Sequence, residues 1–242
     1  MNRLKTLIKD TLAARGFKLQ RISLPGQNLS SVFKAVKARN GSNRGVVIDV
    51  GAHKGLFVKE TMAAMPAWKI VAFEPNPVCY RGLCKIADDH PELTVLNCGL
   101  GSTRGTMTLN VHQHSDSSSI LSADGTYARL YPDQMAVADQ IEIEVSTLDD
   151  WASGSSDEER VIDLVKLDVQ GYELEVILGA EALFKRTASL IVEAALTPAY
   201  QSGVMIDELC HELFLRGFRV RYAFDVYPAS LDLFLENENI KD

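Results

Sequence analysis

A strand, a glycine loop and a helix follow one another in VVIDVGAHKGLFVKE, residues 46–60, and this succession constrains the fold more than any other feature. The run Val46–Ile48 is β-branched and apolar, which is typical of a strand buried on both faces of a parallel sheet. Gly51 and Gly55 then permit the tight turn and the close backbone approach needed where a strand hands over to a helix. The free N–H groups at the start of that helix favour a ligand site above the strand end.

The same alternation of strands and helices recurs along the rest of the chain. It predicts a doubly wound, mostly parallel α/β sheet, because helices supply the right-handed crossovers between parallel strands. We predict further strands at 68–74, 93–98, 161–168, 189–196, 218–224 and 231–237, and helices at 55–65, 76–90, 172–184 and 205–217.

Residues 1–44 are predicted to be an N-terminal helical extension, and residues 45–242 the main domain. The segment 1–17 has apolar residues at helical spacing, and we favour a helix that covers the edge of the core over one that lies on a membrane surface. A second helix is predicted at Leu29–Arg39, followed by the loop NGSNRG.

Residues 101–157 interrupt the alternation and are predicted to be an insertion in the main domain. GTMTLNVH and QIEIEVST alternate between apolar and polar residues with period two, which is typical of β-strands. They flank the polar segment 113–127, for which we expect the role of a lid or substrate loop.

Charge and composition exclude several classes of protein. The chain has 242 residues and a net charge of −7, which argues against nonspecific binding to nucleic acid. No apolar run approaches the length needed to span a bilayer, and no signal peptide is recognisable, so we expect no stable membrane insertion. The four cysteines lack zinc-type spacing and predict free thiols in a reducing cytoplasm.

Several predicted strands end in a polar residue: Asp49, Glu74, Asn97, Asp168 and Glu193. Ligands of open α/β sheets bind beyond the carboxyl ends of the strands, so these side chains predict a binding site. The loop Gly51–Gly55 has neither the G-x-G-x-x-G pattern of dinucleotide sites nor a P-loop, which disfavours NAD and ATP.

Two of these carboxylates suggest particular roles. Glu74 follows Gly51 by 23 residues, where a carboxylate can accept hydrogen bonds from the two ribose hydroxyls of a nucleotide. The alternative for Glu74 is that it caps the next helix. Asp168 ends a buried strand, where an unpaired charge is costly, so it must face a cleft, a partner or a ligand. His112 and His114 lie on the edge of the inserted strand, where exposed histidines are usually inert, and a catalytic role for them is a minor alternative.

Seven segments resemble the FkbM family of S-adenosylmethionine-dependent methyltransferases in order and spacing. They are VVIDVGAHKG, VAFEPNP, LNCGLGSTRGTMTL, SSSIL, VSTLDDW, LVKLDVQGYELEVILGA and LIVEA, and together they span roughly residues 46–194. The resemblance implies a class I methyltransferase sheet, which is Rossmann-like and has seven strands with the last antiparallel. It also implies methylation of a hydroxyl group on a sugar or another small molecule.

The resemblance implies roles for the residues at the strand ends. Asp49, Gly51 and Gly55 would shape the pocket for the methionine part of S-adenosylmethionine, Glu74 would hold the ribose, and residues 97–99 would lie against the adenine. The expected order of candidate bases is Asp168, then Glu193, then His112 or His114. A divalent metal joining Asp168 and Glu193 is an alternative, and we assign no metal site. The expected cofactor residues are Asp49, Gly51, Ala52, His53, Gly55, Glu74, Pro75, Asn97, Cys98 and Gly99.

Two rival functions follow from the same pattern. One is an NAD-dependent enzyme on the same kind of sheet, which the spacing of the glycines disfavours. The other is a domain without catalytic activity that binds a cofactor or a protein partner. The presence of Asp49, Glu74 and Asp168 favours an enzyme.

Overall fold

The computed structural model describes residues 27–113, 118–124, 132–154, 160–227 and 229–240, so the helix predicted in residues 1–17 lies outside them. The strands are β1 (Val46–Val50), β2 (Lys69–Phe73), β3 (Leu93–Leu96), β4 (Gly99–Leu100), β5 (Gly105–His112), β6 (Val137–Ser146), β7 (Leu164–Leu167), β8 (Ser189–Ala195), β9 (Phe218–Phe224) and β10 (Ser230–Asn237). The helices are α1 (Leu29–Asn40), α2 (Leu56–Ala64), α3 (Pro77–Ala87), α4 (Pro132–Met135), α5 (Leu148–Ser153), α6 (Glu173–Leu178), α7 (Glu181–Phe184) and α8 (Ile206–Leu215).

Seven of these strands form the main sheet in the order β3-β2-β1-β7-β8-β10-β9. Neighbouring strands from β3 to β8 are parallel, whereas β10 runs antiparallel to both β8 and β9. A short connection joins β9 to β10, and such a connection can link only antiparallel neighbours. The class I methyltransferase sheet predicted from the sequence, with its last strand antiparallel, is confirmed.

The core lies on both faces of this sheet. Every residue of β1 is buried, as its run of β-branched residues predicts. On one face, Val32 and Phe33 of α1 pack in a cluster with Trp68 and with residues of β1, β7 and β8. The helix predicted at Leu29–Arg39 therefore exists and contributes to the core. No helix within the described ranges is long and apolar enough to cross a membrane.

The single helix predicted at 172–184 is wrong, because the structure has two short helices there, α6 and α7. They separate at Gly179, where a Cβ atom would lie 2.0 Å from the carbonyl oxygen of Gly101. The carboxylate of Asp149 then accepts hydrogen bonds from the N–H groups of Ala182 and Leu183, which begin the second helix. A long-range contact thus divides a segment whose local pattern is continuous.

The predicted insertion contains the two expected strands. β5 pairs antiparallel with β6, and β6 pairs parallel with β4 to complete a three-stranded sheet. Of the predicted lid segment 113–127, the structure describes residue 113 and residues 118–124, and Ser119 in the second range forms a β-bridge to Asn110.

Candidate functional site

A cavity of about 790 Å³, including its open mouth, lies at the carboxyl ends of β1, β2 and β7. Ser118, Ser119 and Ile120, which belong to the segment expected to be a lid or substrate loop, form part of its wall. We call it the first cavity. Seven of the predicted site residues line it, namely Gly51, His53, Glu74, Pro75, Cys98, Gly99 and Asp168.

The glycine loop is held tightly against the ends of β2 and β7. The N–H groups of Gly51 and Ala52 both donate to the carbonyl oxygen of Phe73, at 3.0 Å. Gly51 has a φ of +82°, and a Cβ atom there would lie 2.0 Å from the carbonyl oxygen of Asp168. Only glycine permits this backbone conformation together with this close approach. Gly51 therefore brings the loop against the strand end that carries Asp168.

Glu74 is almost fully buried in the wall of the first cavity, with 5% of its surface exposed. Its Oε2 accepts a hydrogen bond from the N–H of His53 at 2.7 Å, and its Oε1 accepts one from the N–H of Asn76 at 2.8 Å. Burial raises the pKa of Glu74 to about 7, although these two backbone hydrogen bonds oppose the rise. The side-chain cap of α3 is Asn76, which accepts from the N–H of Val78. Glu74 therefore braces the glycine loop against the turn before α3.

Asp49 is completely buried beneath a second cavity, which also contacts the glycine loop and the start of α1. Among the described residues, neither carboxylate oxygen of Asp49 has a hydrogen-bond partner. The nearest cation is the Lys166 ammonium, whose Nζ lies 3.9 Å from Oδ1. Burial raises the pKa of Asp49 to about 6, and Lys166 limits that rise. Ala52 lines this second cavity rather than the first.

Asp168 is held by two side chains at the end of β7. Its Oδ2 accepts from Nζ of Lys166 at 2.9 Å, and its Oδ1 accepts from Nε2 of Gln170 at 2.8 Å. Burial alone would raise the pKa of Asp168, but the charge of Lys166 and these two hydrogen bonds hold it below its usual range. Asp168 is therefore ionised and strongly paired, which makes it a weak base.

Glu193 lies beside Asp168 on the neighbouring strand and shares Gln170 with it. Its Oε2 accepts from Nε2 of Gln170 at 2.9 Å, and its Oε1 accepts from the hydroxyl of Ser230 at 2.8 Å. Burial raises the pKa of Glu193 well above its usual value, and the negative charge of Asp168 adds to the rise. Asp232 of β10 pairs with Glu193 in the sheet, and burial raises its pKa to about 7. Three adjacent strands thus place carboxylates in one row.

Asn97, His112 and Gly55 do not contribute in the expected way. Asn97 does not line the first cavity, because its amide donates to the carbonyl oxygens of Glu74 and Pro75. His112 was expected to be exposed, but only 2% of its surface is accessible, and it lies outside the cavity wall. His114 lies outside the described residues. Gly55 does not line the first cavity. It caps the N-terminus of α2 with a φ of +76°, and a Cβ atom at this position would meet the side chain of Leu83.

Lys166 and Gln170 hold the two candidate bases and were not among the site residues predicted from the sequence. Lys166 could have been found, since a lysine two residues before Asp168 in a buried strand lies on the same face as that aspartate. No local pattern points to Gln170. Within the described ranges, no group of three or more His, Cys, Asp or Glu side chains is arranged to hold a metal ion.

Known proteins resemble this chain in sequence and in fold. Residues 49–220 match the sequence model of a family described as Methyltransferase FkbM domain. Methyltransferase sdnD of Sordaria araneosa is 33% identical over 157 residues, which cover 56% of this chain and 60% of that protein. Methyltransferase 1 of Beauveria bassiana (strain ARSEF 2860) is 26% identical over 145 residues, which cover 56% of this chain and 58% of that protein. The chain thus spans about three fifths of the length of these curated relatives.

One solved structure supports the fold assignment. WbdD, crystallised with a kinase inhibitor, superposes with a TM-score of 0.51 at 13% identity, over 85% of this chain and 38% of that one. At this level of identity the likeness concerns the fold alone.

Proposed function

The chain belongs to the FkbM methyltransferase family, and from that premise we propose that it is an O-methyltransferase acting on a hydroxyl group of a sugar or another small molecule. S-adenosylmethionine is the cofactor that membership of this family implies. The observation that carries the proposal is the first cavity, whose wall unites the glycine loop, Glu74 and Asp168 at the carboxyl ends of three parallel strands.

The residues present fit this cofactor. Each oxygen of Glu74 accepts one backbone hydrogen bond and keeps acceptor capacity for a ribose hydroxyl. Cys98 and Gly99 line the same cavity on the side assigned to the adenine. The buried carboxylate of Asp49 lacks a hydrogen-bond donor among the described residues, and it would gain one from the amino group of the cofactor's methionine part. Gly51, Ala52 and His53 would shape this part of the site.

The bound cofactor supplies an electrophilic methyl group on a positively charged sulfur atom. The protein has to align the acceptor hydroxyl with that methyl group, exclude water and receive a proton. An efficient base has a pKa near the working pH. We place Glu193 before Asp168 as the proton acceptor, because the ammonium of Lys166 pairs with Asp168 and lowers its basicity. Asp168 then holds Gln170 and keeps Lys166 in place.

The acidic balance of the chain favours a small-molecule acceptor over nucleic acid. Cys79, Cys84, Cys98 and Cys210 are all free thiols, which is compatible with the proposed cytoplasmic location. The spacing of the glycine loop continues to disfavour an NAD-dependent enzyme.

Calorimetry on the purified protein tests the proposal. We expect S-adenosylmethionine and S-adenosylhomocysteine to bind in the micromolar range, on the order of −7 to −8 kcal/mol. Labelled S-adenosylmethionine offered with a panel of hydroxyl compounds should then give methyl ethers, identified by mass spectrometry. Tighter binding of NAD than of either S-adenosyl compound contradicts the proposal, and so does methylation at nitrogen or carbon only.

A further inference from the structure

A third cavity of about 660 Å³, including its open mouth, lies next to the first cavity. It is bounded by the ends of β8 and β10 and by the segment 198–205, and nothing described so far uses it. Gln170 lines both cavities and forms the wall between them. Glu193 also lines the third cavity, so the proposed proton acceptor faces it.

Gln170 is held in this position by contacts from several parts of the chain. Its amide nitrogen donates to both Asp168 and Glu193, and its Oε1 accepts from the hydroxyl of Tyr200 at 2.9 Å. Its backbone carbonyl oxygen accepts from the hydroxyl of Ser119 at 2.7 Å. Its φ is +57°, in the left-handed region that residues other than glycine rarely adopt. Such conformations are retained where the surroundings impose them, and they cluster at functional sites.

The wall of the third cavity is acidic and polar at one end and mostly apolar elsewhere. One end carries Glu193, Glu173 and the hydroxyl of Ser230, whereas most of the remaining wall is apolar. Among the residues that the structure describes, no lysine, arginine or histidine lines it. An anionic ligand would therefore meet carboxylates without a compensating cation. The apolar part of the wall includes Met135, Ala195, Pro198, Ala199, Val204 and Met205.

We propose that the third cavity is the methyl-acceptor pocket and that it takes an uncharged, partly apolar hydroxyl compound. This inference rests on the proposed function. The acceptor hydroxyl lies at the end formed by Gln170 and Glu193, and the apolar body lies along Ala195 and Ala199. Gln170 is a positioning residue that sets the direction in which the hydroxyl enters the first cavity.

The methyl transfer conserves atoms and charge with the acceptor, the cofactor and Glu193 alone. The hydroxyl oxygen forms the new bond to the methyl carbon while the bond from that carbon to sulfur breaks. The sulfur keeps the electron pair and becomes a neutral thioether, and Glu193 in its carboxylate form accepts the hydroxyl proton. The products are a methyl ether and S-adenosylhomocysteine, and no further reactant is required.

Matched pairs of probes test the pocket directly. The first pair is 4-hydroxybenzyl alcohol and 4-hydroxybenzoate, which differ chiefly by one negative charge. The second pair is octyl β-D-glucopyranoside and glucose 6-phosphate. Binding is measured by saturation-transfer NMR on the full chain, with and without S-adenosylhomocysteine. We expect at least one neutral probe to bind at least about tenfold more tightly than its anionic counterpart, a difference of about 1.4 kcal/mol.

Substitutions in the wall locate the binding. Ala195→Phe and, independently, Ala199→Phe fill the cavity with a phenyl ring and should abolish binding of the neutral probe. Ala138→Phe, at an exposed position on β6 outside the cavity wall, is the control and should preserve it. Affinity for S-adenosylhomocysteine, measured by calorimetry, should be unchanged in all three variants, because these residues do not line the first cavity.

Two kinds of negative result have different consequences. The pocket assignment is wrong if no neutral probe binds, if the anionic probes bind as tightly, or if neither phenylalanine variant weakens binding. Failure of the wild-type protein to bind S-adenosylhomocysteine would instead contradict the proposed function. The two failures are therefore distinguishable.

Discussion

The ammonium nitrogen of Lys166 lies 2.9 Å from Oδ2 of Asp168, within a site that is otherwise crowded with carboxylates. Burial lowers the pKa of Lys166, but the charges of Asp168 and Asp49 more than reverse the effect and raise it. Lys166 therefore stays charged and compensates part of the negative charge at the ends of β1 and β7. This pairing separates the roles of Asp168 and Glu193, because only Asp168 receives the ammonium.

Glu193→Gln should reduce methyl transfer more than Asp168→Asn. Loss of a general base costs roughly 10²–10⁴-fold in turnover, and we expect this loss for Glu193→Gln. Asp168→Asn keeps the shape of the side chain and should cost less, about tenfold, through poorer positioning of Gln170. Single-turnover rates with an acceptor from the hydroxyl panel provide the measurement. The reverse order of the two losses would restore Asp168 as the base.

Glu74→Gln should weaken cofactor binding. The amide has one acceptor oxygen in place of two, and hydrogen bonds to a charged acceptor contribute about 1.5–3 kcal/mol. Calorimetry with S-adenosylhomocysteine measures the loss, and Glu142→Gln, at an exposed position on β6, is the control. If Glu74→Gln lowered only the melting temperature and left affinity intact, Glu74 would serve only to brace the glycine loop.

Gly51→Ala should destabilise the folded protein, whereas Gly82→Ala should not. Alanine at position 51 combines a φ of +82° with a Cβ atom 2.0 Å from the carbonyl oxygen of Asp168. We expect a loss of at least about 1–3 kcal/mol in the free energy of unfolding. Gly82 lies within α3, where a Cβ atom would meet nothing within 4 Å, so alanine there should stabilise by about 0.5–1 kcal/mol. Urea denaturation of both variants measures these changes, and equal stability would refute the close approach at Gly51.

The stability of the ligand-free protein should fall as pH rises through the neutral range. Burial raises the pKa of Asp49 from 3.8 to about 6, that of Glu74 from 4.5 to about 7 and that of Asp232 from 3.8 to about 7. The folded state therefore binds more protons than the unfolded state between these values, and the free energy of unfolding decreases as pH increases. The contribution of these groups is complete below about pH 4 and lost above about pH 7.

Urea denaturation at several pH values between 5 and 8 tests this dependence, with the buffer held at about 0.15 M ionic strength. Asp232→Asn should flatten the curve, because the amide does not titrate, whereas Asp139→Asn at an exposed position on β6 should leave it unchanged. A stability that rises with pH from 5 to 7 in the wild-type protein would contradict the burial of these carboxyl groups.

Much of the fold and part of the site could be predicted from sequence because their causes are local. A β-branched run, a glycine loop and a helical pattern specify their own conformations, and their repetition requires a parallel sheet with crossovers. Asp49, Glu74, Asp168 and Glu193 could be named because each lies near the carboxyl end of an apolar strand or directly after it. The carboxyl ends of parallel strands share one edge, so residues at those ends approach one another whatever the loops between them do.

The tertiary structure decided the features that depend on contacts between distant segments. At Gly179, where the helix breaks, a Cβ atom would meet the carbonyl oxygen of Gly101, and His112 is buried where its N–H donates to the hydroxyl of Ser118. The approach of Lys166 to Asp49 and the position of Gln170 depend on how β7 lies against β1, β8 and the segment 118–124. A residue's type and its sequence neighbours set its intrinsic preferences. Its charge partners, its burial and therefore its basicity are set by residues far along the chain, which only the folded structure brings together.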